Sequence, residues 1–120
     1  MTPAEIRTRL EACRSSAEDE ARRTKDSTVV AERLRAAYTA LDAADQPAAN
    51  SILCEWLTSE EEARRFDAEA LVDDLRIVAC VPALVALRAR LATKPDPSAR
   101  YEVRKVDRVL DALRGGRPAG

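Results

Sequence analysis

Residues 64–87, RRFDAEALVDDLRIVACVPALVAL, combine helical spacing of apolar residues with a proline, Pro82, close to their end. A proline inside a helix costs about 3 kcal/mol, because it removes a backbone donor and clashes with the preceding turn. In the first turn of a helix the same residue costs little, since its missing N–H would have no partner there. We therefore predict that the chain turns near residues 77–79 and that Pro82 opens a new helix.

Helical patterning extends over nearly the whole chain. Six helix starts, each marked by a capping residue or a proline, are predicted near residues 2, 28, 45, 60, 80 and 97. At the first start, Thr2, Pro3 and Glu5 have the order of a capping box with proline at the first helical position. Ser59 and Glu62 are expected to form a second capping box. No glycine or proline separates the first two helices, so one continuous helix there also fits the pattern.

Composition favours the same fold class. Aromatic residues make up 3% of the chain and glycine occurs three times, so alanine, leucine and valine must fill a core of closely packed helices rather than a turn-rich β fold. We predict an all-α fold of five or six helices packed as stacked antiparallel hairpins, either a right-handed α-solenoid or an irregular bundle. One domain is expected over residues 1–114, with the first helix loosely attached, followed by a disordered tail over residues 115–120.

Residues 60–92 resemble a HEAT-type helical repeat. The stretch EEEARRFDAEALVDDLRIVACVPALVALRARL has an arginine in its first helix, small residues facing the partner helix and a short turn leading into V-P-A-L on the second helix. Arg76 and Ile77 stand where a glycine is often found between the two helices. Helix starts near residues 28, 60 and 97 give a period of 32 to 37 residues, within the range of helical-hairpin repeats. The resemblance implies helix pairs stacked one on another.

The residue types that most enzymes use are sparse in this sequence. Histidine is absent, and the three cysteines, Cys13, Cys54 and Cys80, are far apart and form no CxxC pair. No glycine-rich phosphate loop and no nucleophile with an adjacent base is recognisable. We therefore predict a chain that is not an enzyme, binds no cofactor and keeps its cysteines as buried free thiols.

The sequence also gives an expectation about location. No apolar run is long enough for a signal peptide or a membrane span, so we expect a cytoplasmic chain without membrane contact. Arginine outnumbers lysine 17 to 3, which is typical of a GC-rich bacterial genome.

Charge is distributed unevenly along the chain, although the net charge is -1. Residues 42–74, the acidic stretch, hold ten acidic side chains and two arginines, a balance of -8, whereas the balance from residue 75 onward is +6. An acidic surface speeds association with a basic partner. We therefore predict a protein-binding module that uses the acidic stretch against a basic protein, similar in type to the immunity proteins that neutralise basic toxins. The predicted partner-binding residues are Glu60, Glu61, Asp67, Asp73, Asp74, Tyr38 and Tyr101.

Three other interpretations of these charges stay open. Arg100, Arg104 and Arg108 recur every four residues on the last predicted helix, and this basic stripe could serve a DNA-associated or regulatory module. Acidic residues of the same helix interrupt its positive field, and a sequence pI of about 5.6 argues against nucleic acid. Glu69 and Asp73, four residues apart, could hold Mg²⁺ in an all-α phosphohydrolase. Both charged regions could also be plain solvated surface.

Overall fold

The computed structural model describes residues 1–115, in which six α-helices and one 3-10 turn are joined by short segments and no strand occurs. The helices are α1 (Pro3–Thr24), α2 (Val29–Thr39), α3 (Gln46–Leu57), α4 (Glu62–Leu75), α5 (Val81–Ala92) and α6 (Pro97–Leu113), and the 3-10 turn covers Val78–Cys80. The predicted all-α class is confirmed, with six helices. Residues 116–120 of the predicted disordered tail lie outside the described residues.

The chain divides into two compact units, Met1–Ile52 and the residues from Leu53 onward. In the first unit, α1 packs against α2. Both helices bury apolar side chains, since Ile6 and Leu10 of α1 and Leu34 of α2 are at most 1% exposed. The expectation of a single domain with a loosely attached first helix stays a prediction.

Both ends of α1 have cap geometry that their residue types explain. At the start, the backbone N–H of Glu5 donates to Thr2 Oγ1 (3.1 Å) and the backbone N–H of Thr2 donates to Glu5 Oε1 (2.7 Å), so the predicted capping box is confirmed. At the end, Lys25 adopts a left-handed conformation with a φ of 56°, and its N–H donates to the carbonyl of Ala21. Because of this cap, α1 and α2 are separate helices.

The chain turns ahead of Pro82, as predicted. Helix α4 ends at Leu75, and Arg76 then takes the left-handed region with a φ of 54°. The N–H of Ile77 donates to the carbonyl of Val72 (3.1 Å), which closes the helix end. After the 3-10 turn, α5 begins with Pro82 in its first turn, where the absent N–H leaves no helical hydrogen bond unmade.

The connection between α3 and α4, residues 58–61, is held by two arginine side chains. Its carbonyl acceptors are those of Thr58, Ser59 and Glu60. Arg65 Nη1 donates to the last two of these carbonyls at 3.1 Å each. Arg90 donates to the first two, at 3.1 and 3.4 Å. Carbonyl groups that follow the end of α3 are therefore satisfied by side chains of the next two helices.

The predicted capping box of Ser59 and Glu62 is wrong. Ser59 Oγ accepts from the backbone N–H of Glu61 (3.1 Å), and α4 begins at Glu62 with Glu61 as its cap. The physical reason lies in the connection itself. Because Arg65 binds the carbonyls of residues 59 and 60, these residues stay outside the helix and Ser59 stabilises the loop instead.

In the second unit, α6 packs against both α4 and α5. Only residues 93–96 connect α5 to α6, and so short a connection makes the two helices antiparallel neighbours. The apolar residues that these two helices bury include Leu84, Leu87, Leu91, Val106, Val109, Leu110 and Leu113. Trp56 of α3 is 2% exposed and is one of the largest buried side chains of this unit. The second unit thus contains a helical hairpin of α5 and α6, with α4 packed against α6.

Candidate functional site

Three exposed arginines line one face of α6. Arg100, Arg104 and Arg108, the basic stripe, are four residues apart, a spacing that places them on the same side of a helix. None of the three guanidinium groups forms a hydrogen bond or a close ion pair within residues 1–115, and the charge of Arg100 contributes to lowering the pKa of Asp96. Tyr101 lies beside the stripe with 52% of its surface exposed. The stripe is therefore a positively charged surface whose donors are available to another molecule.

The acidic residues of α6 are mostly engaged elsewhere. Glu102 is buried. Both carboxylate oxygens of Asp107 accept from Arg88, at 2.6 and 3.3 Å. Asp111 remains exposed without an ion pair inside the described part of the chain. Within the described residues, only Asp111 of the three acidic residues of α6 therefore places an unpaired negative charge on the surface of this helix.

Glu102 belongs to a buried charge cluster with Arg65, Glu69 and Lys105. The Nε and Nη2 atoms of Arg65 donate to the two carboxylate oxygens of Glu102, at 2.8 and 2.9 Å. This bidentate pair joins α4 to α6. Burial opposes the ionisation of Glu102, but the hydrogen bonds from Arg65 and Glu69, together with the positive charges of Arg65 and Lys105, hold the pKa of Glu102 below its ordinary value.

Glu69 is the second carboxyl group of the same cluster. Its side chain is fully buried, and its hydrogen-bond neighbour is the carboxylate of Glu102. Lys105 Nζ lies 4.3 Å from the centre of the Phe66 ring and 3.9 Å from Glu69 Oε1, which is too long for a hydrogen bond. Burial, followed by the adjacent carboxylate of Glu102, raises the pKa of Glu69 to about 9. Glu69 is therefore protonated at neutral pH.

The acidic residues predicted to bind a partner differ in exposure and pairing. The exposed members are Glu60, Glu61 and Asp74, and the half-buried members are Asp67 and Asp73. Asp73 accepts from Arg76 Nη1 at 2.6 Å. Glu61 forms an ion pair with Arg64 at 3.7 Å. Neighbouring arginines thus neutralise part of the negative charge along α4.

The two tyrosines named with these acidic residues also differ. Tyr101 is exposed beside the basic stripe. Tyr38 lies in the first unit, is 8% exposed and donates its hydroxyl to Asn50 Oδ1 at 2.7 Å. Tyr101 is therefore the tyrosine with a ring surface open to a partner.

Glu69 and Asp73, the alternative metal pair, are in unequal surroundings. Glu69 is buried and protonated, whereas Asp73 is held by Arg76. Residues 1–115 contain no group of three or more His, Cys, Asp or Glu side chains that could hold a metal ion. A protonated carboxyl is a poor ligand for Mg²⁺, which binds carboxylate oxygens. This geometry gives the phosphohydrolase interpretation no support.

Sequence reasoning missed the pair of Arg65 and Glu102, although the spacing held a signal for it. Glu102 lies four residues before Val106 and seven before Val109, which places it on the apolar face of α6. A charged residue on such a face needs a buried partner of opposite charge. Its position in the helical pattern, and not its residue type, marks Glu102 as structural.

The chain matches no protein-family model, no curated protein and no solved structure. Within residues 1–115, no helix has both the length and the apolar character needed to cross a membrane. The features of this chain that point to a function are therefore its own charges and contacts.

Proposed function

We propose that this chain is a non-enzymatic protein-binding module that uses the basic stripe of α6, together with Tyr101, to bind an acidic partner protein. One observation carries the proposal. All three arginines of the stripe are exposed and unpaired within residues 1–115, while two acidic residues of the same helix are buried or held by other arginines. The helix thus presents positive charge that the described part of the chain does not neutralise.

The residue types of this surface suit a protein better than a nucleic acid. Arginine and tyrosine are enriched among the residues that contribute most to protein–protein affinity, because they combine a large contact area with directional donors. Nucleic-acid binding usually requires a strongly basic domain, whereas this chain has a net charge of -1. An acidic protein surface is therefore the partner chemistry that fits best.

The proposal includes the HEAT-like arrangement expected from residues 60–92. The left-handed turn at Arg76, at the position where HEAT-type hairpins often have glycine, supports it. Stacked helix pairs commonly bind partners through exposed helix faces. The basic stripe lies on such a face.

A double substitution in the stripe tests the proposed function. Arg104→Ala/Arg108→Ala is compared with Arg9→Ala/Arg23→Ala, which removes two exposed arginines from α1 and serves as the matched control. Each immobilised full-length chain is used to capture proteins from the native host. We expect the wild type and the control to retain the same acidic partner and the stripe variant to lose it by about tenfold or more in affinity.

Two outcomes would contradict this proposal. Equal retention of the partner by the stripe variant would remove the stripe from the interface. Loss of the captured material on nuclease treatment would replace the protein partner by nucleic acid, the DNA-associated alternative.

A second candidate is the acidic surface of α4 binding a basic protein, as an immunity or inhibitor protein does. The observation in its favour is that Glu60 and Asp74 are both exposed near opposite ends of α4, and that the carboxylate of Glu60 forms no ion pair within residues 1–115. Glu60→Lys/Asp74→Lys is compared with Glu32→Lys/Asp42→Lys, a matched reversal in the first unit. Loss of a basic partner from the first variant alone supports this candidate, and equal capture by both variants eliminates it.

A further inference from the structure

Two cysteines that are far apart in the sequence meet in the second unit. Cys54 Sγ, near the end of α3, lies 3.0 Å from Cys80 Sγ, at the end of the 3-10 turn before α5. Neither cysteine is in a disulfide. The sulfur–sulfur bond of a disulfide is about 2.0 Å long, so the two atoms need to approach by about 1 Å to form one.

The two thiols differ in their access to solvent. Cys80 is fully buried, and burial followed by the adjacent Cys54 thiol raises the pKa of Cys80. Cys54 is half-buried. An oxidant arriving from solvent therefore meets Cys54 first, and Cys80 lies directly behind it. An accessible thiol beside a resolving thiol is the arrangement found in redox-sensitive cysteine pairs.

We propose that Cys54 and Cys80 are a modification site that forms a reversible intramolecular disulfide when the protein meets a hydroperoxide. In the first step the Cys54 sulfur attacks one peroxide oxygen, the O–O bond breaks, and a sulfenic acid forms while the thiol proton leaves with the other oxygen as water or an alcohol. In the second step the Cys80 sulfur attacks the Cys54 sulfur, and the S–O bond breaks. The hydroxyl group leaves as water with the Cys80 proton. Two thiols are thereby oxidised by two electrons and one peroxide is reduced; a thiol reductant reverses the change by disulfide exchange.

This disulfide would restrain the part of the second unit that contains the turn between α4 and α5. Residues 54–80 would become a closed loop that contains α4 and the left-handed Arg76. Closing a loop of this length lowers the entropy of the unfolded chain, so we expect the oxidised protein to unfold at a midpoint roughly 5 °C or more above that of the reduced protein. The proposal is independent of which charged surface binds a partner.

The test uses the full-length Cys13→Ser variant, which keeps the proposed pair and removes the cysteine of the first unit. The folded protein is exposed to hydrogen peroxide, and the remaining thiols are then alkylated under denaturing conditions. We expect an intact chain lighter by two hydrogen atoms, no alkylated cysteine, a single peptide linkage between Cys54 and Cys80, and recovery of both thiols after treatment with dithiothreitol. The oxidised and reduced forms of this one variant also supply the thermal midpoints, so no substitution at buried Cys80 is required.

A matched variant, Cys13→Ser/Cys54→Ser, identifies which thiol reacts first. It should keep Cys80 alkylatable after the same exposure, because the oxidant does not reach the buried thiol and no Cys54 sulfenic acid is present for Cys80 to attack. The proposal is overturned if both thiols of the Cys13→Ser variant stay alkylatable. It is also overturned if Cys54 accumulates as sulfinic acid, or if the linkage joins two chains.

Discussion

The guanidinium of Arg65 donates to both carboxylate oxygens of Glu102, 37 residues further along the chain, at 2.8 and 2.9 Å. The two side chains are 7% and 1% exposed. Each charge therefore depends on the other for the interactions that water would otherwise supply. The pair fixes how α4 and α6 face each other, and it withdraws an acidic residue from the surface of α6.

Removal of one member of this pair should destabilise the protein strongly. For Glu102→Gln we expect the free energy of unfolding to fall by about 3 kcal/mol, because Arg65 would remain buried without a counter-charge. The double variant Arg65→Met/Glu102→Leu should recover part of this loss, since it removes both charges together but also removes the hydrogen bonds from Arg65 to the carbonyls of Ser59 and Glu60. Urea unfolding measures the free energy of unfolding of the single and the double variant. Asp107→Asn, at the exposed pair with Arg88, is the control and should change the midpoint little. Equal losses in Glu102→Gln and Asp107→Asn would contradict the assignment.

Glu69 should make stability depend on pH. Its pKa rises from an ordinary value of 4.5 to about 9 in the folded protein, so between these values the folded state holds a proton that the unfolded chain releases. The contribution is fully present below the unfolded value and is lost as pH rises, with a slope of about 1 kcal/mol per pH unit. Glu69→Gln should remove this slope, which urea unfolding at about pH 5.5, 7 and 8.5 measures. Glu62→Gln, at an exposed position of the same helix, should keep this pH dependence of the free energy of unfolding. If Glu69→Gln also keeps it, the prediction is wrong.

Glycine at position 76 should stabilise the turn before α5. Arg76 has a φ of 54°, and a residue with a Cβ pays about 1 kcal/mol in this region that glycine does not. We expect Arg76→Gly to have a free energy of unfolding about 0.5–1 kcal/mol above that of Arg76→Ala. Both variants lose the ion pair with Asp73, so the comparison isolates the backbone effect. Thermal and urea unfolding provide the measurement, and a glycine variant no more stable than the alanine variant would show that the turn carries no such strain.

The position of a proline within α5 should decide its cost. Pro82 lies in the first turn, so Pro82→Ala should change the free energy of unfolding by less than about 1 kcal/mol. Ala86 is exposed in the interior of the same helix, where Ala86→Pro should cost about 3 kcal/mol or more. Circular dichroism during urea unfolding compares the two. Similar costs for both substitutions would mean that α5 does not begin where the structure places it.

Local signals predicted where the helices begin and end. The capping box at Thr2 and the proline at position 82 act within one helical turn, so the residues that decide the outcome are adjacent in the sequence. The error at Ser59 has the same origin, because the residue that changes its role, Arg65, is fixed by a tertiary contact. Sequence-based reasoning was reliable where the deciding interaction was short in range.

These local signals did not predict contacts between residues that are far apart in the sequence. Arg65 with Glu102 and Cys54 with Cys80 are 37 and 26 residues apart, and each depends on how helices pack. The basic stripe was visible as a spacing, but its exposure was not. Helical spacing places Glu102 on the apolar face of α6, but only the packing of α6 against α4 shows that its partner is Arg65 and that the stripe stays on the surface.

The short segment between α3 and α4 looks, by length and polar composition, like a convenient place to insert a tag or to cut the chain. Its carbonyls instead accept hydrogen bonds from Arg65 and Arg90. Lengthening the segment would break these contacts with α4 and α5. Residues 93–96, exposed throughout, are the better entry point for a fusion or an engineered protease site. The length of residues 58–61 should therefore be kept in any engineered form of this protein.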